Sequence, residues 1–394
     1  MQIKRKHQGG GLDMLKKFSV TNFKNFKDQT DLTLDDPGRF KFNENCVQNG
    51  LVTKAVLYGK NGTGKTNLGK ALLDIRETLI ASSPSGSTGE IFLNADKNPE
   101  ADRIGFKYRF LINDTDIEYS YSKNPDMTLS EERLVINQKT VFDLVFSPFP
   151  EFRELNLDLI GQESLNSEKY FDSLLDRESG GSVAFLKWII SNGAIGESST
   201  VASLFRFVKG MLNVSVNQYV LNYPSLITKN SLRISRQNKQ DLENFLKDMG
   251  FDYRLKLETA MDGTTKLYFD YENPILFYEN ASSGIRMIAE FYTRLHDKME
   301  DASVIYLDEF DAFFHYELSE CFFSHLRDKY PHVQIIFTSH NTDPLSNRIA
   351  RPDCFFILSL DGKITPMHKA TERELRMGHN LEKLYRSGEF REYE

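Results

Sequence analysis

Apolar and polar residues alternate along two parts of this chain. Residues 15–26 begin with such an alternation, and residues 31–34 continue it. A longer alternating stretch runs from residue 104 to residue 146, interrupted by polar pairs at Asn113-Asp114 and Asn137-Gln138. A period of two is typical of strands with one buried face, and the polar pairs mark turns. The pattern predicts an antiparallel meander over residues 104–146.

Between residues 147 and 250 the apolar residues recur at helical intervals instead. The clearest run consists of Val201, Leu204, Phe205, Val208 and Leu212. A further helical stretch ends at Gly250. This spacing predicts amphipathic helices. We expect a mainly helical insert at 147–250, an arm or partner contact between two parts of one head, residues 14–146 and 251–394. A hairpin around Asp262-Gly263 opens the second part.

Three short runs are almost entirely apolar, at residues 55–58, 304–307 and 333–337. Leu51 and Val52 precede the first run and are expected to belong to the same strand. Apolar runs of this length predict strands buried on both faces, as in a parallel sheet. The first run leads into Gly-Lys-Asn-Gly-Thr-Gly-Lys-Thr at residues 59–66, and a helical pattern follows. Because the G-x-x-x-x-G-K-T motif lies between a strand and a helix, it predicts a phosphate-binding loop rather than a simple glycine-rich turn. We call residues 59–66 the phosphate loop.

The phosphate loop predicts an ATP site. Its backbone N–H groups can surround phosphate oxygens at the positive end of the following helix. Lys65 is expected to reach the β- and γ-phosphates, and the Thr66 hydroxyl is expected to hold Mg²⁺. The residues predicted to bind ATP here are Gly59, Lys60, Asn61, Gly62, Thr63, Gly64, Lys65, Thr66 and Asn67.

Polar residues follow the other two apolar runs. Asp308 and Glu309 come directly after the second run, at the strand end where open α/β sheets bind ligands. Asp308 is predicted to hold Mg²⁺, and Glu309 is predicted to orient and deprotonate the attacking water. His340 follows the third run and is predicted to contact the γ-phosphate. The alternative for Asp308 and Glu309 is a strand that merely ends in acidic residues. The alternative for His340 is an ordinary surface histidine.

A third group of small residues, Ser282-Ser283-Gly284, precedes a helical pattern. Small residues at a helix N-terminus can form a second anion-binding site. An ordinary helix cap at Ser282 is an equally good interpretation. Arg286 is either a phosphate contact, a residue that holds this helix in place, or a surface residue.

Composition restricts the class of protein. The chain has 394 residues, 40% of them hydrophobic, a net charge of −7 and three distant cysteines. The acidic balance disfavours a global electrostatic grip on nucleic acid. The cysteine spacing disfavours a disulfide framework or a zinc site and fits a reducing cytoplasm. No apolar run reaches the length of a membrane span. Residues 1–13 are predicted to be a mobile leader, and Met14 is an alternative start to Met1.

The order of these motifs resembles that of ABC-type ATPases, in particular the RecF/SMC/OLD-like group. The resemblance implies an α/β P-loop NTPase head with an antiparallel β lobe. It also implies that Ser282, Ser283 and Gly284 form a signature motif, which completes the ATP site of a second subunit. Asp311 matches the D-loop aspartate, Glu309 the catalytic glutamate and His340 the switch histidine. The match departs from the family at one motif, because no convincing Q-loop glutamine is present.

A narrower resemblance is to compact ATPases of bacterial anti-phage systems, such as the AriA-type subunits of PARIS and abortive-infection and RloA-type ATPases. The insert lacks the sustained heptads of an SMC arm. The narrower resemblance implies a homo-oligomeric sensor and scaffold that holds a separate TOPRIM-type nuclease and releases it on sensing a phage protein. The alternative is a RecF/SMC-like ATPase that acts directly on DNA. Its support is a basic run at Lys229, Arg233, Arg236 and Lys239, a pattern that is more typical of a solvated face.

Overall fold

The parallel sheet predicted from the apolar runs is present in the computed structural model. The model describes residues 12–81, 92–97, 102–146, 149–175, 183–215, 236–259, 265–312 and 314–394. The sheet consists of β5 (Lys54–Tyr58), β11 (Leu212–Ser215), β15 (Val304–Asp308), β16 (Gln334–Ser339), β17 (Phe355–Leu358) and β18 (Ile364–Pro366). The spatial order is β11-β15-β16-β5-β17-β18, and all neighbours are parallel except β17 and β18. We call it the central sheet.

The predicted meander is confirmed as part of a second, antiparallel sheet. Its strands are β1 (Met14–Thr21), β2 (Thr30–Thr33), β6 (Ile104–Ile112), β7 (Thr115–Lys123), β8 (Leu129–Ile136), β9 (Lys139–Val145) and β10 (Glu151–Leu155). They lie in the order β10-β9-β8-β7-β6-β1-β2. Both residues of the turns Asn113-Asp114 and Asn137-Gln138 have positive φ, as tight two-residue hairpin turns require. The antiparallel β lobe and the P-loop α/β fold are therefore both present.

Five short strands complete the β structure. They are β3 (Val47–Gln48), β4 (Leu51–Val52), β12 (Leu255–Thr259), β13 (Thr265–Phe269) and β14 (Ile275–Leu276). Strands β12 and β13 form the predicted hairpin, and its Asp262-Gly263 turn lies outside the described residues. Strand β4 pairs with β3. Leu51 and Val52 therefore belong to a separate hairpin rather than to the strand before the phosphate loop.

Nine helices lie in the described parts of the chain, besides short 3-10 turns. They are α1 (Lys65–Leu79), α2 (Glu168–Leu175), α3 (Phe185–Asn192), α4 (Thr200–Lys209), α5 (Arg236–Asp248), α6 (Phe277–Asn280), α7 (Ser283–Leu295), α8 (Tyr316–Lys329) and α9 (Leu381–Arg386). None of these helices is long and apolar enough to cross a membrane. The three cysteines are free thiols, in line with the prediction that they form no disulfide framework.

One strand of the predicted insert belongs to the central sheet. Strand β11 pairs in parallel with β15 along residues 212–215, and the preceding helix α4 packs against α1 and β6. The Phe207 ring lies 5.5 Å from the Phe110 ring, and the Phe207 carbonyl accepts a hydrogen bond from the Ser303 hydroxyl at 2.5 Å. The segment that comprises α4 and β11 is therefore part of the head, although it lies within the range assigned to the insert.

Helix α1 lies between the two sheets and is bonded to both. On the central-sheet side, the Tyr306 hydroxyl donates to the Lys65 carbonyl at 2.5 Å. On the antiparallel side, the Tyr108 hydroxyl donates to the Ala71 carbonyl at 3.0 Å, and Asp74 forms a buried ion pair with Lys123 at 2.6 Å. These bonds fix the rotation and depth of the helix that begins at the phosphate loop.

A buried amide on an interior strand of the central sheet bonds to the antiparallel sheet. The Gln334 side chain on β16 accepts a hydrogen bond from the Leu15 N–H at 2.6 Å and donates to the Leu15 carbonyl at 3.0 Å. It also donates to the Val52 carbonyl at 3.2 Å. Both polar atoms of the amide are satisfied, which a buried amide needs to be tolerated.

A buried carboxylate attaches α3 to the antiparallel sheet. Glu132 accepts hydrogen bonds from the Tyr119 hydroxyl at 2.9 Å and from the N–H groups of Phe185 and Leu186 at 2.6 and 3.0 Å. Burial raises the pKa of Glu132 to about 7, although these donors favour the charged form. The carboxylate serves as the N-terminal cap of α3.

Replacing Glu132 with Gln should change how folding stability depends on pH. Because the folded pKa of about 7 lies above the ordinary glutamate pKa of 4.5, the contribution of Glu132 is fully present below pH 4.5 and is lost as the pH rises through 7. That loss is on the order of 3 kcal/mol. The measurement is the free energy of unfolding in urea. Between about pH 5 and about pH 8, it should fall more for the wild type than for Glu132→Gln.

The neighbouring Glu131 is the matched control for this comparison. Its side chain is about half exposed and pairs with Arg153 at 2.9 Å on the surface. Glu131→Gln should keep the pH dependence of the wild type. Equal pH dependence in Glu132→Gln and Glu131→Gln would contradict the role assigned to the buried carboxylate.

Candidate nucleotide-binding site

The phosphate loop connects the C-terminal end of β5 to the N-terminus of α1. Gly62 and Gly64 have φ values of +85° and +102°, a conformation that side chains with a Cβ rarely adopt. No atom lies within 4 Å of the position that a Cβ on Gly62 would occupy. Helix α1 begins after Gly64 without a side-chain cap. Its first N–H groups are therefore available to an anion such as a phosphate.

The Lys65 side chain folds back across the phosphate loop. Its ammonium group donates to the Gly59 carbonyl at 2.6 Å and to the Lys60 carbonyl at 3.1 Å. Burial lowers the pKa of Lys65, while the nearby carboxylates of Asp308 and Glu309 act in the opposite direction. The two carbonyls hold the ammonium beside the space over Gly62, within the loop that is expected to receive phosphates.

Asn25, from the turn after β1, holds the phosphate loop from the other side. Its amide donates to the Thr63 carbonyl at 3.0 Å and accepts from the Asn67 amide at 2.8 Å. A Cβ on Gly64 would approach the Asn25 amide nitrogen to 2.2 Å. Glycine at position 64 is therefore required both by the backbone conformation and by this close contact.

Four residues form a continuous hydrogen-bonded chain between α1, β15 and β16. The Thr66 hydroxyl donates to one oxygen of Asp308, and the Thr338 hydroxyl donates to the other, both at 2.7 Å. Thr338 is fully buried and accepts a hydrogen bond from the Glu309 N–H at 2.8 Å. Asp308 and Glu309 are thus held at the carboxyl end of β15, facing the start of α1. We call this set the Thr66–Thr338 chain.

The backbone of Glu309 has a φ of 53°, which is unusual for a residue with a side chain. It lies directly after β15, where the chain turns away from the sheet. The Thr338 contact and a hydrogen bond from the Ala312 N–H to the Glu309 carbonyl at 3.1 Å support this conformation. Strained backbone of this kind often occurs at functional sites, where it aims a side chain.

Asp311 and His340 lie beside the Thr66–Thr338 chain. Asp311 accepts a hydrogen bond from the Ser339 hydroxyl at 2.7 Å, and burial raises the pKa of its carboxyl group. Its second oxygen is buried and has no hydrogen-bond donor among the described residues. The His340 side chain is exposed, and its carbonyl accepts from the Tyr58 hydroxyl at 3.1 Å. Both residues lie at the edge of the central sheet that carries the phosphate loop.

The Ser282-Ser283-Gly284 motif lies at the start of α7. The Ser282 hydroxyl accepts from the Ile285 N–H at 3.4 Å, so the predicted cap is present. Arg286 donates to the Tyr278 carbonyl at 3.2 Å and holds α7 against α6. Within the described residues, no hydrogen bond or ion pair joins this motif to the phosphate loop or to Asp308. Its predicted role in ATP binding therefore requires a second subunit.

The residues present fit a bound Mg²⁺ ion. The Thr66 hydroxyl oxygen and an Asp308 carboxylate oxygen lie 2.7 Å apart, and both are hard oxygen donors. Mg²⁺ usually takes one or two protein oxygens and completes its shell with water and substrate phosphates. The described residues contain no cluster of three or more His, Cys, Asp or Glu side chains, so a dedicated protein cage is not what this site offers.

The structure assigns positioning roles to three residues that the sequence analysis missed. Asn25 holds the phosphate loop, Thr338 joins Asp308 to Glu309, and Tyr306 supports the start of α1. The contact between Tyr306 and α1 needs Gly69, because a Cβ there would lie 2.5 Å from the ring. For Tyr306 and Thr338, the sequence did offer a signal, namely a polar group within an apolar strand run or directly after it. The Asn25 contact had no comparable signal, since its partners are distant in sequence.

A family model matches residues 54–344, well over half of the chain. Its description reads "AAA domain, putative AbiEii toxin, Type IV TA system". The matched range begins at β5 and ends shortly after β16, so it includes the phosphate loop and the Thr66–Thr338 chain. No curated protein matches this sequence.

Solved structures that match this chain include three SMC heads. The SMC head domain from Thermotoga maritima is 14% identical with a TM-score of 0.45, and the alignment covers 90% of this chain and 98% of that one. An SMC head bound to the C-terminal winged-helix domain of ScpA is 12% identical with a TM-score of 0.45, covering 89% and 97%. An SMC head with an extended coiled coil, bound to the C-terminal domain of ScpA from Pyrococcus furiosus, is 12% identical with a TM-score of 0.43, covering 90% and 96%. Similarity this distant does not indicate a shared partner or activity.

Replacing Asn25 with Ala should weaken nucleotide binding while leaving the fold intact. The variant loses two hydrogen bonds that hold the phosphate loop, each worth about 1 kcal/mol. We expect the Kd for a fluorescent ATP analogue to rise roughly tenfold or more. Gln29→Ala is the control, since it removes an exposed amide that bonds only to Asp31 at 2.9 Å. Unchanged affinity in Asn25→Ala would contradict the positioning role.

Proposed function

This chain belongs to the AAA domain family of AbiEii type, and from that membership we propose that it is an ATP-binding and ATP-hydrolysing scaffold subunit of a bacterial anti-phage system. The observation that supports the ATPase activity best is the Thr66–Thr338 chain. It brings a loop that can surround phosphates next to a carboxylate pair at a strand end. A strand that merely ended in acidic residues would not need hydroxyl donors on both oxygens of Asp308.

In the proposed reaction, the Lys65 ammonium leaves the carbonyls of Gly59 and Lys60 and binds the β- and γ-phosphates of ATP. Thr66 and Asp308 are the residues that would hold Mg²⁺, and the ion would supply positive charge beside the phosphate oxygens. Glu309, aimed by its backbone conformation, orients a water molecule and accepts its proton. His340 contacts the γ-phosphate from the end of β16. The phosphate loop N–H groups stabilise the charge that develops on the phosphate oxygens.

We further propose that two or more subunits assemble through ATP. The Ser282-Ser283-Gly284 motif has small, exposed side chains at the start of a 13-residue helix, away from the ATP site of its own chain. Asp311 has a buried oxygen that still needs a donor. A second subunit is the natural source of contacts to both. ATP then acts as a ligand that selects the assembled state.

The defence role extends this proposal to partners. The family description names an AbiEii toxin and a type IV toxin–antitoxin system, which supports a role in bacterial defence. In this proposal the assembled heads hold a separate TOPRIM-type nuclease, and a phage protein triggers its release in the cytoplasm. Direct action on DNA has little support, because Lys239 of the basic run bonds to Glu243 at 2.9 Å and to the Leu255 carbonyl at 2.8 Å. Lys229 and Arg233 lie outside the described residues.

Glu309→Gln should separate ATP binding from hydrolysis. The amide cannot accept the proton of the attacking water, so we expect turnover to fall by about a hundredfold or more, the scale of general-base catalysis. ATP affinity should stay close to that of the wild type, and ATP with Mg²⁺ should convert the variant to a stable oligomer in light scattering. The exposed Glu317→Gln on α8 is the control and should behave as the wild type does. Loss of ATP binding in Glu309→Gln would show that the residue has another role.

The defence proposal is tested by capturing tagged Glu309→Gln from the native host with ATP and Mg²⁺. Bound proteins are identified by mass spectrometry and bound nucleic acid by staining. A stoichiometric partner with nuclease motifs and little DNA is the expected result. Abundant DNA without a protein partner would contradict the scaffold role and favour a repair ATPase.

A further inference from the structure

A cavity of about 880 Å³ lies next to the ATP site but shares none of its predicted residues. Its walls come from the start of α8, from residues 343–348 after β16, and from residues 377–382 at the start of α9. The volume falls within the usual range for ligand pockets. Nothing in the ATPase mechanism uses this cavity.

The charged residues of the cavity leave one cation without a partner. The two lining carboxylates, Asp343 and Glu382, already pair with Arg386 at 3.5 and 2.8 Å. Arg348 also lines the cavity and is exposed, and no carboxylate of the described residues lies within 4.0 Å of its guanidinium. An arginine in this state can bind a carboxylate with two hydrogen bonds. The cavity therefore favours an acidic ligand.

Two further polar side chains of the wall have unused capacity. The His379 Nδ1 atom accepts a hydrogen bond from the Arg376 N–H at 3.2 Å, so its neutral ring carries the proton on Nε2 as a donor. Asn347 is 9% exposed, and its amide nitrogen bonds to three carbonyls of residues 376–379. Its Oδ1 atom has no donor among the described residues. That Oδ1 atom is itself buried, so the donors that face a ligand are those of His379 and Arg348, and a carboxylate would complement them.

The cavity also has an apolar part. Met377 is 66% exposed, and Leu345 and Leu381 form a buried floor. A Cβ on Gly378 would meet no atom within 4 Å, so the space beside Met377 is open. Methionine adapts its shape to different partners and is common at surfaces that bind peptides. An exposed methionine of this kind beside an unpaired arginine suits a ligand with adjacent acidic and apolar side chains.

We propose that this cavity binds an extended peptide segment of a partner protein. An acidic side chain of the peptide pairs with Arg348, and an adjacent apolar side chain packs on Met377. A free dicarboxylate would satisfy Arg348 but would leave Met377 exposed. The proposal deepens the scaffold function and rests on it, because it names the chemistry of the partner that the scaffold holds.

The position of α9 links this cavity to the ATP site. Leu381 and Glu382 line the cavity, while Arg386 at the other end of the helix donates to the Thr342 hydroxyl at 3.1 and 2.9 Å. Thr342 lies two residues after His340. Tyr385 packs edge-on against Tyr58, with 4.6 Å between ring centres, directly before the phosphate loop. A peptide that holds α9 in this position would therefore couple to nucleotide binding, and the coupling would act in both directions.

The test is selection of a random heptapeptide phage-display library on the full chain without nucleotide. Enriched peptides should carry Asp or Glu next to Leu, Met or Phe. Synthetic copies of these peptides, measured by fluorescence polarisation, should bind Arg348→Glu at least about tenfold more weakly than the wild type. Met377→Asp, a second surface variant, should show a similar loss. The exposed Lys209→Glu, outside the cavity, should bind as the wild type does.

Three results would overturn the proposal. One is the absence of enriched peptides, or enrichment of basic ones. Another is equal affinity of the selected peptides for the wild type and Arg348→Glu. The third is displacement of the bound peptide by an equal concentration of a competitor. Displacement by succinate would assign the cavity to small dicarboxylates, and displacement by a single-stranded oligonucleotide would assign it to nucleic acid. Because the measurement omits ATP, its failure is distinguishable from failure of the ATPase function.

Discussion

The structure depends on how helix α1 is held between two sheets. Tyr306 bonds to its first residue from one side, and Tyr108 bonds to its middle from the other. Together with the Asn25 bonds to the phosphate loop, these contacts set the position of the loop relative to Asp308. The hydrogen bond between Thr66 and Asp308 then follows from the placement of the helix. Glycine at position 69 costs helix stability, about 1 kcal/mol relative to alanine, but it allows the Tyr306 ring to lie against the helix.

Strand β16 organises the rest of the site through polar groups that it buries. Thr338 and Ser339 are fully buried at its C-terminal end, and each bonds to an aspartate on the neighbouring segment. Buried hydroxyls need partners, and here the partners are two carboxylates of the candidate site. One strand thereby sets the geometry of Asp308, Glu309 and Asp311 together. His340 follows directly, so the end of β16 reaches every acidic residue of the candidate site.

Sequence patterns located most of this architecture. The meander, the buried strands and the loop-to-helix junction all come from local periodicity or a fixed motif, and each is present. Strand β11 was not identified, because four residues after an amphipathic helix have no periodicity that marks a sheet edge. Asn25 was missed for a related reason, since its contact to Thr63 joins residues 38 positions apart. Local patterns predict elements, whereas pairing over long sequence distances is decided by packing.

The amide of Gln334 has a mechanical consequence. Sliding of the antiparallel sheet along the central sheet would break its bonds to Leu15 and leave buried polar groups unpaired. The two sheets are therefore expected to move as one rigid body together with α1, which lies between them. A small displacement at the phosphate loop would then appear at the far edge, β10, without being absorbed between the sheets. Flexible segments that permit larger movements are therefore expected outside the two sheets and α1.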